Sequence, residues 1–255
     1  MSALLMEAAL IPAAAEYDGF ARQYKKSKEL PFRAHVEAHT FFRMLGDVNG
    51  LDLLDLACGE GHYSRQIRRR GAARVVGADL SAEMIALARQ QEDRNPIGVE
   101  YILAPAEQLG VVGAFDVVTA AYLLNCAPTR RHLEAMCRTI AANLRPGGRF
   151  VAINTGYDIG PPADTAKYGW RTTAETTGVD GGERRLTFLL GADSFTITNY
   201  AHSRASYDAA LRAAGFKTIR WVMPTVAEAG IAEFGREYWN VMLDEAPIVG
   251  LDCRL

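Results

Sequence analysis

The hydrophobic rhythm of the chain changes several times along its length. Over residues 16–45 apolar side chains recur at helical spacing, with Phe20, Tyr24, Val36, Phe41, Phe42 and Leu45 among them, which predicts a helical segment. Pro31 divides it in two, because a proline cannot donate to the helical ladder. After Gly50, short apolar runs alternate with longer amphipathic stretches. This predicts strands at 51–57, 74–78, 99–103, 115–120 and 149–154, with helices at 62–70, 82–93 and 129–144. Such alternation is the pattern of βαβ units in a parallel sheet buried on both faces. From 155 to 203 the rhythm breaks. Two alternating runs, 185–190 and 195–201, flank Gly191, Ala192 and Asp193 and predict an antiparallel hairpin laid over the sheet. The α/β pattern then resumes with a helix at 205–214, a strand at 216–223, a helix at 225–243 and a last strand at 248–254, which would insert antiparallel beside its neighbour.

This reads as one α/β domain over 1–255. An N-terminal helical lid spans 16–46, a ligand-binding core 50–155, a substrate cap 156–203, and 204–255 completes the sheet. A chain of 255 residues can bury a full core. With 28 basic and 30 acidic side chains and a net charge of -2, it has no broad attraction for nucleic acid or anionic membrane, so a small-molecule substrate is expected. Cys58, Cys126, Cys137 and Cys253 form no C-x-x-C pair and read as reduced thiols. Residues 4–11 are apolar but short, are interrupted by Glu7 and have no basic residues ahead of them, unlike a signal peptide. No stretch reaches the roughly 20 apolar residues of a membrane span. A cytoplasmic monomer or homodimer is expected.

Candidate chemistry starts at the segment LLDLACGEG (53–61), an apolar strand entering a G-x-G turn and then a helix. Glycines at 59 and 61 let the backbone approach a ligand. Dinucleotide fingerprints place a third glycine or alanine three residues later, where this chain has Ser64. Asp79 ends the second predicted strand, where a carboxylate can accept both ribose hydroxyls. Together these positions describe a nucleoside site without naming its ligand.

The ordered series Asp55-x-Ala57-x-Gly59-x-Gly61, then Asp79-Leu80-Ser81-x-x-Met84, then Phe115-Asp116-Val117-Val118 and Leu144-Arg145-Pro146-Gly147-Gly148-Arg149-Phe150 resembles that of class I S-adenosylmethionine-dependent methyltransferases. The resemblance implies a Rossmann-like, doubly wound, mostly parallel seven-stranded sheet with an antiparallel last strand. It also implies S-adenosylmethionine as cofactor and S-adenosylhomocysteine as product. By position, Gly59 and Gly61 would approach the methionine part, Asp79 would hold the ribose, and Leu80 and Met84 would flank the adenine. Ala106 and Glu107 would lie beside the adenine, and Ala121 would offer its carbonyl to the ammonium. Family members often carry Asp just before the position of Ala106, where this chain has Pro105. Tyr17-Asp18, Tyr24, Pro31-Phe32-Arg33, residues 121–125, Lys167-Tyr168-Gly169, Asn199-Tyr200 and residues 234–239 are similar to a narrower group. Its members N-methylate azapteridines of the toxoflavin pathway or O-methylate small phosphonates.

Arg33 is the candidate for a bidentate bond to the cofactor carboxylate. Tyr17 and Tyr24 would close the lid, their rings favouring a sulfonium. Tyr122 and Asn125 follow the fourth strand, at the sheet edge where such folds bind ligands, and are candidates for substrate contact and positioning. Tyr168, Tyr200 and His202 sit in or beside the inserted hairpin and could line an acceptor pocket, with His202 a candidate proton shuttle. His35 and His39 lie one helical turn apart, but without a nearby carboxylate or thiolate they read as helix-face residues and no metal is expected. The leading expectation is methyl transfer to a ring nitrogen of a small heteroaromatic metabolite. O-methylation of a small acid or phosphonate, an NAD(P)-dependent oxidoreductase and a non-catalytic cofactor-binding module are the alternatives.

Overall fold

The computed structural model describes residues 3–157 and 162–255. Residues 1–2, and 158–161 of the expected cap, lie outside them. The core strands form where the apolar runs fall: β1 (Asp52–Leu56), β2 (Arg74–Asp79), β3 (Val99–Leu103), β4 (Phe115–Ala121) and β5 (Leu144–Thr155). With β9 (Thr218–Val222) and β10 (Ile248–Arg254) they build a seven-stranded sheet in the order β3-β2-β1-β4-β5-β10-β9. β1 to β5 pair in parallel, and β10 runs antiparallel between β5 and β9. This is the doubly wound, Rossmann-like sheet with an antiparallel last strand. Leu53, Leu54, Val75, Val76, Val118 and Val151 are fully buried, as expected of strands covered by helices on both sides.

Helices α3 (His62–Arg69), α4 (Ala82–Arg94), α5 (Arg130–Ala142) and α6 (Arg204–Ala213) connect the strands. Three of them start at a hydroxyl cap: the side chains of Ser81, Thr129 and Ser203 accept the amides of Met84, His132 and Ser206, each satisfying one otherwise unpaired donor. The strand order reverses between β1 and β4, so the crevice at their carboxyl ends is the natural ligand position.

The N-terminal segment is helical as expected, but its break comes before Pro31. α1 (Ala3–Ser27) is followed by a π-helical turn (Arg33–Ala38) and then α2 (His39–Leu45). The cap is a three-stranded antiparallel sheet, not a hairpin. β7 (Gly182–Leu190) and β8 (Asp193–Ala201) are the expected pair, and β6 (Trp170–Glu175) adds a third strand along β7. Its short, threonine-rich sequence carries too little alternation to stand out. The single helix expected at 225–243 is three short pieces, α7 (Glu228–Phe234), a 3-10 turn (Glu237–Trp239) and α8 (Asn240–Asp244). Gly235, at φ 78°, ends the first, because that backbone leaves the helical region.

Candidate active site

A cavity of about 300 Å³ opens at the carboxyl ends of β1, β2 and β4, a volume within the range of small-ligand sites. Ala57, Gly59, Asp79, Leu80, Met84, Ala106, Glu107 and Ala121 line it, and Tyr17, Tyr24, Tyr122 and Tyr200 close it from the α1 and cap side. Two of its wall residues, Ala57 and Tyr122, hold left-handed φ values of 54° and 66°. Side chains other than glycine rarely adopt that conformation, and it concentrates at functional sites.

The glycine turn divides its labour. Gly59, at φ 55°, lines the cavity, and a Cβ there would meet nothing closer than Met84 Sδ at 3.9 Å. Gly61, at φ 83°, does not line it; a Cβ there would stand 2.3 Å from the hydroxyl of Tyr101. Its lack of a side chain serves internal packing. Asp79 accepts the Gly59 amide at 2.8 Å and the Ser81 amide at 2.9 Å. Burial raises its pKa, opposed by the amides of Ser81, Gly59 and Leu80. Each of its oxygens keeps lone-pair capacity toward the cavity it lines. Asp55 accepts the hydroxyls of Ser64 (2.6 Å) and Thr119 (2.9 Å). Burial pushes its pKa up to about 6 against those two bonds.

A smaller recess adjoins this cavity, lined by Tyr24, Lys28, Asp55, Ala57, Gly59, Tyr63 and Ala121. Lys28 projects into this end, with Nζ 4.9 Å from the centre of the Tyr24 ring and 5.5 Å from that of Tyr63. On the other side of Tyr17, Tyr24 and Tyr122 lies a narrow aromatic cleft, walled by Phe32, Arg33, Trp170, Leu186, Phe188, Ile197 and Asn199. Its side chains leave about 20 Å³ of free space, so a ring can enter only as a wall yields.

Arg33 therefore stands in the aromatic cleft and lines neither the main cavity nor the recess beside Gly59. It bonds to Glu37, a fully buried carboxylate that also accepts the hydroxyls of Tyr122 (2.6 Å) and Tyr63 (2.7 Å), with Lys28 4.0 Å away. Burial alone would raise the Glu37 pKa. Arg33, Lys28 and the two tyrosines outweigh it and hold it near 2, and Glu37 in turn raises that of Arg33. The pair is ionised. Glu37 and Lys28 escape sequence reasoning because neither falls in a motif; the four-residue helical spacing of Glu37 from Arg33 is the one signal present, and Lys28 lies across the break that ends α1.

Three further expected residues lie away from the cavities. The Asn125 side chain is fully buried beneath the wall, its amide nitrogen 4.0 Å from Cys126 Sγ. His202 is buried against Tyr207 and bonds the Ala127 carbonyl at 2.8 Å. Tyr168 is stacked on Trp239 and donates to the Tyr238 carbonyl at 2.8 Å. Tyr168 and His202 each use a polar end to secure a chain connection, while Asn125 Oδ1 has no partner among the described residues. His35 packs against Phe234 and Trp239 and approaches Glu233 at 3.6 Å.

Helix α1 is tied on both sides. Asp18 of α1 accepts the Ser81 hydroxyl and the Glu83 amide at the start of α4, and Glu16 accepts the Thr198 amide of β8 at 2.8 Å. Among the described residues, no helix is long and apolar enough to cross a membrane.

Residues 53–148 match the family model described as a methyltransferase domain. The chain is 31% identical over 152 residues to the demethylmenaquinone methyltransferase of Lactococcus lactis subsp. lactis, covering 57% of this chain and 59% of that relative. It is 30% identical over 185 residues to N-demethylindolmycin N-methyltransferase of Streptomyces griseus, covering 67% and 71%. The match thus spans under two thirds of the first relative's length and somewhat more of the second's. In fold it resembles an S-adenosylmethionine-dependent methyltransferase from Mesorhizobium loti, with a TM-score of 0.62 and 21% identity over 90% of this chain and 100% of that one.

Proposed function

The chain belongs to the S-adenosylmethionine-dependent methyltransferases, and from that premise we propose that it methylates a ring nitrogen of a small heteroaromatic metabolite of azapteridine type. The cavity fits the cofactor: Asp79 presents a buried carboxylate beside an open glycine turn, and apolar Leu80, Met84 and Ala106 line the same cavity. We assign Asp79 to the ribose hydroxyls, Leu80 and Met84 to the adenine faces with Ala106 and Glu107 beside them, and Asp55 and the Ala121 carbonyl to the ammonium end. The cofactor carboxylate goes to Lys28, which lines the recess beside Gly59, whereas Arg33 lines the aromatic cleft and bonds Glu37 directly. When bound, S-adenosylmethionine supplies a methyl group that the acceptor nitrogen takes with its lone pair while the carbon–sulfur bond electrons return to sulfur.

One observation carries the acceptor reading. Tyr17, Tyr24 and Tyr122 line both the cofactor cavity and the aromatic cleft, so a ring held in the cleft meets the cofactor between three tyrosines. Their faces favour a cation there. The protein's contribution is to align the acceptor and keep water out, effects worth roughly 7–11 kcal/mol when complete. The Streptomyces griseus relative, an N-methyltransferase by name, supports nitrogen as the acceptor atom. A second reading, O-methylation of a small acid or phosphonate, draws on Arg33, the one charged side chain among the described residues that line the cleft. Incubation with S-adenosylmethionine and matched panels of azapteridines and small phosphonates, with products identified by mass spectrometry and NMR, decides between them. Ring N-methylation is expected; transfer confined to phosphonate oxygen would sink the first reading.

A further inference from the structure

The aromatic cleft contains a charge that it conceals. The Arg33 guanidinium is 4.9 Å from the centre of the Phe32 ring, 5.2 Å from Phe188, 5.3 Å from Tyr122 and 5.7 Å from Tyr24. A lone guanidinium in such walls would draw in a carboxylate or phosphonate, the anions its fork matches. Glu37 prevents this from behind. It does not line the cleft, is fully buried, and is bonded to the guanidinium directly.

We infer that Glu37 is a specificity-determining residue: by cancelling Arg33 it makes the acceptor cleft select an uncharged aromatic ring over an anionic one. An anion entering the cleft would lose its hydration and face a cation whose charge is already spent, with a buried carboxylate immediately beyond. A neutral ring incurs no such loss. Two buried donors of cleft residues, Arg33 Nε and Trp170 Nε1, have no partner. They suit carbonyl oxygens or ring-nitrogen lone pairs, which need one hydrogen bond and no net charge. Tyr122 couples this arrangement to the methyl-transfer position, because it lines both cavities and its hydroxyl is held by Glu37.

The inference rests on the reading of the cleft as the acceptor site, and its test keeps the two apart. Protein saturated with S-adenosylhomocysteine is titrated calorimetrically with quinoxaline and with quinoxaline-2-carboxylate at pH 7. Wild type is expected to bind quinoxaline about tenfold or more tightly than the carboxylate. Glu37→Gln, with Arg33 unpaired, is expected to gain about tenfold or more for the carboxylate and to change little for quinoxaline. The double variant Arg33→Gln/Glu37→Gln should return to the wild-type preference. Since it removes the lone guanidinium from the cleft and leaves only Lys28, which lines the recess beside Gly59 rather than the cleft, it carries the variant arm if Glu37→Gln alone fails to fold. Carboxylate binding to wild type as tight as quinoxaline, no carboxylate gain in a folded Glu37→Gln, or a double variant that prefers the carboxylate would each overturn the inference alone; no quinoxaline binding to wild type or either variant would overturn the acceptor reading and the inference with it. Failure of wild type to bind S-adenosylhomocysteine would instead remove the cofactor reading, a measurement in which neither probe takes part.

Discussion

At the scale of single residues, several polar groups at the site are buried more deeply than a surface cleft would allow, and their protonation follows from that. Asp55 is fully enclosed, and its pKa rises from 3.8 to about 6. A folded-state pKa above the unfolded value means that the folded chain binds the extra proton. The associated stability is fully present below about pH 4 and is lost as pH climbs through 6. Urea unfolding of wild type and Asp55→Asn at pH 4 and pH 7 measures this. The variant should gain on wild type by up to about 3 kcal/mol across that interval, and a pH-independent difference would contradict the assignment. Glu37 has the opposite sign: with a pKa held near 2, its contribution is present above about pH 4.5 and is lost in acid.

Among elements, α1 covers one side of the cavity. It contributes Tyr17 and Tyr24 to the cavity, and Asp18 and Glu16 tie it to α4 and β8. Asp18→Ala removes one tie while leaving the Ser81 cap of α4 intact. We expect a stability loss of about 1 kcal/mol. Hydrogen exchange should be faster over 16–27 and S-adenosylhomocysteine should dissociate faster, with exchange over β1 unchanged. Unaltered ligand dissociation would show that α1 is not a lid. The cap acts as a second element: β7 and β8 supply Leu186, Phe188, Ile197 and Asn199 to the aromatic cleft, and β6 closes it with Trp170.

For the whole molecule, ligand binding and folding are linked, because the cavity exists only where β1, β2, β4 and α1 meet. S-adenosylhomocysteine at a hundredfold its dissociation constant should stabilise the chain by about 2.7 kcal/mol, raising the melting temperature by roughly 5–10 °C for a chain of this size. NAD at the same concentration should not. Asp79→Ala, which loses hydrogen bonds to an ionised group, should bind S-adenosylhomocysteine more weakly by about 1.5–3 kcal/mol and lose most of that rise. An equal shift with NAD would favour the oxidoreductase alternative, and a full shift in Asp79→Ala would displace the ribose from its assigned position.

What the sequence determined by itself is the sheet and many of the residues that line the main cavity. Strand periodicity, the turn at Gly59 and the carboxylate at Asp79 are local features of β1 to β5, so they can be read from neighbouring residues. Only the tertiary structure decided the surroundings of the aromatic cleft. Arg33 reads as an unattached cation until Glu37 is seen bonded to it, and Lys28 has no motif to distinguish it from other lysines. The role of Gly61 depends on Tyr101, a residue on a different strand. Asn125, Tyr168 and His202 carry suitable chemistry at suitable sequence positions, yet the fold turns Tyr168 and His202 toward internal connections and buries Asn125 beneath the cavity wall. The physical reason is common to all of these. A charge or hydrogen-bonding group has the role left after its nearest partners are satisfied, and those partners come from segments that meet only once the chain has folded.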